Sequence, residues 1–287
     1  MNRPDPLPAT LPAAFIERPL PSVAGWAAAF DRREIPVLAA TAAALADLAE
    51  HEDLADAHLL AETMSADPLM TLKLLRHVAA LRAGRDQTDP ETATEALVML
   101  GITPFFRDFR DQPVIEHLLA GNAVALDGMQ QVLRRSHRAA HFAYGFAVHR
   151  YDYDATLIHE ATLLHDFAEL LLWAHAPGLA QCIARRLHDE PGLRTADAQQ
   201  AVLGIVLPDL QQALMKAWRL PALLVQIADD HDSINPQVRN VQLAIRFARH
   251  SALSWDNPAM PDDVAAIAEL LNMGITPTLQ LLHQLNS

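Results

Sequence analysis

Two ionisable residues, His165 and Asp166, are adjacent in the longest apolar run of the sequence, residues 161–174. The apolar spacing around them predicts one continuous helix over residues 154–175. An unpaired polar or charged side chain is costly to bury. Each of the two must therefore be hydrogen-bonded, paired with an opposite charge or bound to a metal.

A second pair of histidines, His137 and His141, is four residues apart in a long predicted helix over residues 128–150, so both imidazoles share one face. If this helix packs beside the first, it can offer His137 to His165 and Asp166. Imidazole and carboxylate ligands suit iron, manganese, zinc or nickel, and a bound metal can generate a hydroxide nucleophile. The alternative is a metal-free buried network in which Asp166 accepts from His137 or an arginine.

Composition removes several function classes. The net charge is −13, the lysines are Lys73 and Lys216, and there is no basic run, which argues against nucleic acid and anionic membranes. The glycines are scattered, so the sequence has no phosphate-binding loop. The single cysteine, Cys182, is interpreted as core packing. Without a signal pattern or an apolar stretch of about 18 residues, the chain is predicted to be cytoplasmic.

The chain is predicted to be all-α, because apolar residues recur at spacings of three and four and alternating β-branched runs are absent. A capping side chain before a proline starts helices. This pair occurs at Asp67, Asp89, Thr103 and Thr276. We predict two packed helical lobes. The predicted units are a proline-rich arm with a short helix (1–33), an N-terminal lobe (34–121) and a C-terminal lobe (122–287).

Several segments, in order, resemble the HDOD family, the HD-related output domain of bacterial signalling proteins. The resemblance covers about residues 34–254. It is carried by Ile35-Pro36-Val37-Leu38, by the "S-x-DP-x-L-x-x-KLLR" segment at 64–76, by the "LG" helix at 94–101, by "LLHD" at 163–166 and by "W-x-LP" at 217–221. It implies that the C-terminal lobe is an HD-domain-like helical bundle and that the protein is a signalling module.

Relative to catalytic HD metallophosphohydrolases, which the family resembles, the ligand set is incomplete. Leu207 stands where relatives often carry a histidine, residues 240–250 lack the late carboxylate, and the glycine and lysine usual after the His-Asp pair are absent. We therefore expect a non-catalytic regulatory protein that binds a signalling protein or a small ligand, with no catalytic residue and no cofactor. A divalent transition metal held by His137, His165 and Asp166 in a phosphohydrolase is the alternative.

A third hypothesis is a sensor that holds a nucleotide or another anion between the lobes. The candidate contacts are Arg76 and His77 on one lobe and Arg246 and Arg249 on the other. Salt bridges within the fold are the structural alternative for these residues. The acidic cluster at 229–232 is read as a solvated helix end, with a divalent-cation site as the alternative.

Overall fold

The computed structural model describes residues 14–83, 90–227, 235–252 and 254–286. Within these ranges the chain is α-helical without a β-sheet, and a parallel bridge joins Val37 to Val114. The prediction of an all-α fold is confirmed. No single helix in the described ranges has both the length and the apolar character to cross a membrane, and one pair, bent by 98°, passes that test only when its two helices are taken together.

The helices follow one another through short turns, and a short 3₁₀ turn, Glu52–Leu54, comes after the second. Their bounds are α1 (Val23–Asp31), α2 (Ala39–Glu50), α3 (Ala57–Met64), α4 (Pro68–Arg82), α5 (Ala93–Leu100), α6 (Ile102–Phe109), α7 (Ile115–Leu118), α8 (Ala123–His149), α9 (Ala155–Leu163), α10 (Phe167–His175), α11 (Pro177–Asp189), α12 (Thr195–Leu203), α13 (Leu207–Ala217), α14 (Ala222–Ile227), α15 (Pro236–His250), α16 (Met260–Leu271) and α17 (Ile275–Leu285).

The predicted helix starts are confirmed in part. Asp67 caps α4 and accepts hydrogen bonds from the N–H groups of Leu69 and Met70. The predictions at Thr103 and Thr276 are wrong, because α6 and α17 each begin two residues before the proline, directly after a glycine. Asp89 lies outside the described residues.

Two packed lobes are built around the long helix α8. It packs against α9, α10, α11, α15 and α17 in the C-terminal lobe, whereas α2 to α7 form the N-terminal lobe. The described part of the N-terminal arm docks on the C-terminal lobe, where the N–H of Ile16 donates to the carbonyl of His175 at 2.8 Å. Helix α1 packs against α13. The predicted boundary between 121 and 122 falls at the Asn122 cap of α8 and stays a prediction.

The prediction of one continuous helix over 154–175 is wrong. Helix α9 ends at Leu163 and α10 begins at Phe167, so His165 and Asp166 lie in the turn between them. In this turn the N–H of His165 donates to the carbonyl of Thr162, and that of Phe167 to Leu164. These three-residue spacings tighten the chain locally and end the α-helix. Cys182, read as core packing, is instead exposed.

A close contact fixes α10 against α8. Trp173 is 95% buried. Its ring lies so near Gly128 of α8 that a Cβ built there would be 2.4 Å from two ring carbons. Glycine is therefore the residue that permits this approach of the two helices.

We predict that Gly128→Val destabilises the protein by about 1–3 kcal/mol, because the indole must move out of a well-packed site. Urea unfolding followed by tryptophan fluorescence measures this change. The matched control is Gly178→Ala in α11, where nothing lies within 4 Å of the added Cβ. The control should leave stability unchanged or raise it by up to about 1 kcal/mol, and equal effects of the two variants would contradict the packing argument.

Candidate functional site

The turn between α9 and α10 holds His165 and Asp166 beside Arg135 of α8. The guanidinium of Arg135 donates from Nε to Asp166 Oδ2 at 2.9 Å and from Nη2 to Glu169 Oε2 at 2.8 Å. Nη2 also lies 2.8 Å from Asp166 Oδ2. His165 Nδ1 is 3.2 Å from Asp166 Oδ1. We call these four residues the Arg135 cluster.

The electrostatics of the Arg135 cluster depend on one cation. Burial opposes ionisation of Asp166, but the charge of Arg135 and the hydrogen bonds from His165 and Arg135 outweigh it and hold the pKa of Asp166 well below its usual range. Burial raises the pKa of Glu169, and the neighbouring charge of Asp166 adds to this, although Arg135 and the indole N–H of Trp173 act in the opposite direction. A single guanidinium therefore pairs with two partly buried carboxylates and compensates Asp166 more fully than Glu169.

The described residues of this site do not fit a metal of the HD type. The carboxylate of Asp166 is taken up by Arg135 on one oxygen and faces His165 with the other. A metal would have to displace or approach the guanidinium, and like charges at that distance repel. In the part of the chain that the structure describes, no group of three His, Cys, Asp or Glu residues could hold a metal ion. The acidic cluster at 229–232 lies outside that part.

His137 faces the N-terminal lobe. Its ring donates to the backbone carbonyl of Ala66 and lies near the buried carboxylate of Asp67, and burial lowers its pKa. Arg135 and His137 are two positions apart on α8, so they point to different faces. The structure thus brings His165 and Asp166 together with Arg135 and directs His137 to the seam between the lobes. A role of these residues as metal ligands stays a prediction.

Arg76 and His77 make contacts within the fold. Arg76 donates to the carbonyl and carboxylate of Asp31 at 2.8 and 3.0 Å, and its guanidinium lies 4.7 Å from the centre of the Trp218 ring. The indole N–H of Trp218 donates to the same carboxylate at 2.8 Å. His77 Nε2 is 3.1 Å from Asp108 Oδ2. These contacts tie α4 to α1, to Trp218 after α13 and to α6.

The other two candidate anion contacts lie on α15. Arg246 Nε is 2.6 Å from Asp263 Oδ1 of α16, and His250 Nδ1 is 2.6 Å from the second oxygen of the same carboxylate. Arg249 is exposed. Because Arg76, His77 and Arg246 are engaged with different elements, the structure places them in separate contacts. Anion binding by the four predicted residues stays a prediction.

Glu160 of α9 is a site residue that the sequence analysis did not single out. Its carboxylate reaches the N-terminal lobe, where both oxygens accept from the N–H of Ala93 at 3.2 and 2.9 Å. Burial raises the pKa of Glu160 to about 7, and the nearby charge of Glu95 adds to the effect. One signal was available, because Thr156, His159 and Glu160 form a polar face on an otherwise apolar helix.

We predict that Glu160 makes stability depend on pH. The folded protein binds this proton up to about pH 7 and the unfolded chain only to about pH 4.5, so stability falls as pH rises through this window. Glu160→Gln removes the proton exchange and should be more stable than the parent by on the order of 2 kcal/mol at pH 8, with the gain disappearing toward pH 4. Urea unfolding across this range tests it. A stability difference that does not change with pH would contradict the assignment.

Removing the cation of the Arg135 cluster should destabilise the folded protein. We predict that Arg135→Met lowers the free energy of unfolding by about 2–4 kcal/mol, because two partly buried carboxylates lose their partner. Arg134→Met, one residue earlier and exposed on the same helix, is the matched control and should change stability by less than about 0.5 kcal/mol. Equal unfolding midpoints for the two variants would show that Arg135 does not stabilise the fold through these carboxylates.

Known structures share this architecture. The MmoQ response regulator from Methylococcus capsulatus str. Bath superposes with a TM-score of 0.65 at 20% identity, covering 87% of this chain and 98% of that one. A virulence factor from Campylobacter jejuni subsp. jejuni gives 0.65 at 15% identity, covering 91% and 94%. An HDOD domain protein with unknown function from Geobacter sulfurreducens gives 0.50 at 14%, covering 91% and 96%. At these identities the likeness shows the fold.

The sequence itself gives the more specific comparison. The protein-family model of the HDOD domain matches residues 35–234 of the sequence. This range contains all four residues of the Arg135 cluster. No curated protein matches the sequence. Because the family match spans most of the chain and agrees with the all-α fold, the chain belongs to the HDOD domain family.

Proposed function

We propose that this protein is a non-catalytic regulatory module that acts in bacterial signal transduction by binding a partner protein or a small ligand. Membership of the HDOD family and a fold shared with the MmoQ response regulator support a signalling role. The observation that carries the non-catalytic part is the Arg135 cluster. The proposal includes a cytoplasmic location, because a reducing compartment suits an exposed free thiol at Cys182.

The charge pairing of Asp166 with Arg135 argues against HD-type catalysis. Metal-dependent hydrolysis needs a carboxylate and imidazoles directed at a metal that activates water. In this chain the carboxylate of Asp166 is paired with Arg135, and His137 is hydrogen-bonded to Ala66. These groups therefore contribute to packing and charge balance. This favours a binding function of the protein over a catalytic one.

An exposed aromatic patch supports partner binding. All three tyrosines of the sequence are exposed. Tyr144 lies one helical turn before the exposed Val148 on α8, and Tyr151 and Tyr153 lie in the turn that follows this helix, where Tyr153 is fully exposed. Tyrosine is enriched at protein interfaces because it combines apolar area with a polar tip. We propose that these four residues, the tyrosine patch, contact the signalling partner.

The catalytic half of the proposal is tested with the purified chain in Mn²⁺, Fe²⁺ or Zn²⁺, using phosphomonoester and phosphodiester substrates. We expect the same background hydrolysis from the parent and from Asp166→Asn. Hydrolysis well above background that disappears in Asp166→Asn would overturn the non-catalytic assignment and favour the phosphohydrolase alternative.

The binding half is tested by comparing proteins retained by the immobilised parent and by a Tyr151→Ala, Tyr153→Ala variant. A partner retained in near-stoichiometric amount by the parent should be lost by this variant. Val98→Ala, which alters an exposed apolar residue on α5, is the control and should retain it. Retention by all three proteins would exclude the tyrosine patch as the contact surface.

A further inference from the structure

A cleft of about 350 Å³ lies on the seam between the two lobes. The N-terminal lobe contributes His58, Glu62 and Thr94 to its lining, and α9 of the C-terminal lobe contributes His159 and Glu160. The volume is at the lower end of the range for small-molecule sites. A ligand in this cleft would touch both lobes at once.

Beside the apolar residues Ala61, Ala93 and Leu163, the lining of the cleft carries carboxylates, hydroxyls and imidazoles. Among the described residues, the lining contains two carboxylates, Glu62 and Glu160, and neither arginine nor lysine. An anion entering the cleft would meet acidic side chains without a compensating cation among the described residues, whereas a cation favours the ionised form of both carboxylates. The electrostatics therefore select against a nucleotide phosphate at this place.

The partly buried carboxylate of Glu160 has few hydrogen-bond partners within the described residues. It enters the cleft from α9, and its two oxygens share the single backbone N–H of Ala93. A carboxylate can accept about four hydrogen bonds, so this group has unused acceptor capacity in a desolvated position. Burial is the largest cause of the raised pKa of Glu160, and the charge of Glu95 adds to it.

The imidazole of His159 completes the wall. Burial lowers its pKa, and the neighbouring His137 and His141 add to the effect, so this ring is neutral near pH 7. Tyr144 packs edge-on against it with ring centroids 6.0 Å apart, which holds its orientation. A neutral imidazole beside two carboxylates presents no positive charge to an incoming cation.

We propose that this inter-lobe cleft binds a small organic cation, a primary amine or guanidinium, through Glu160 and Glu62. The N–H groups of the cation donate to the two carboxylates, and the hydroxyls of Thr94 and Thr156 accept the remaining donors. Because the site is formed by both lobes, occupancy stabilises their packed arrangement. This binding activity goes beyond the proposed signalling function and can be tested independently of it.

The cationic group that binds in the cleft can belong to a free small molecule or to an arginine side chain of a partner protein. The narrow volume favours a free ligand, and the experiment separates the two sources. Calorimetric titration of the full chain at pH 7 uses agmatine and putrescine as probes, with 1,4-butanediol as the uncharged counterpart of putrescine and inorganic phosphate as the anion. An acetylated, amidated arginine peptide represents the partner side chain.

We expect saturable binding of agmatine or putrescine and none of butanediol or phosphate. Glu160→Gln should weaken binding at least about tenfold. Glu62→Gln, at an exposed position that does not endanger folding, should also weaken it, and Thr156→Trp should block the cleft. Glu190→Gln on α11's surface end is the control and should bind like the parent.

Three results would overturn the proposal. The first is the absence of saturable heat with both amines. The second is binding that survives both Glu62→Gln and Thr156→Trp in variants that unfold at the parent's urea midpoint. The third is binding of the arginine peptide without binding of agmatine, which would assign the cleft to a partner side chain. Loss of the tyrosine-patch partner alone would leave this proposal unaffected.

Discussion

The structure depends on the charge balance around Arg135. Asp166 and Glu169 are both partly removed from water, and a buried carboxylate is tolerated when a cation and hydrogen bonds compensate it. Arg135 supplies both from α8, at 2.8–2.9 Å from the two carboxylates. The compensating cation is here a side chain of the polypeptide.

The same contacts position the rest of the C-terminal lobe. The turn that carries Asp166 interrupts the helix, and α10 begins there, which brings Trp173 onto Gly128 of α8. The indole N–H of Trp173 donates to Glu169. Trp173 therefore contributes both to helix packing and to the hydrogen bonding of the buried carboxylates. On its other faces α8 directs His137 to the N-terminal lobe. One helix therefore organises both the core of the C-terminal lobe and part of the seam.

Much of this could be predicted from the sequence, because it depends on local patterns. Periodicity gave the all-α fold, the Asp67-Pro68 pair gave a helix start, and the apolar run around His165 and Asp166 required a partner. An arginine was one of the partners considered, yet Arg135 could not be named, since its pairing needs the relative rotation of two helices. The break at Leu164 was missed because the apolar spacing continues through that run without a glycine or a proline to mark a turn. Glu160 was missed because its burial depends on the N-terminal lobe.

The most direct test of this account is a double-mutant cycle between Arg135→Met and Asp166→Asn, measured by urea unfolding at pH 7. If the guanidinium is the partner that holds Asp166, the double variant should lose less stability than the sum of the single variants. The expected coupling energy is on the order of 2 kcal/mol. Additive losses, with a coupling energy below about 0.5 kcal/mol, would show that Asp166 depends on another partner and would contradict the central role of Arg135.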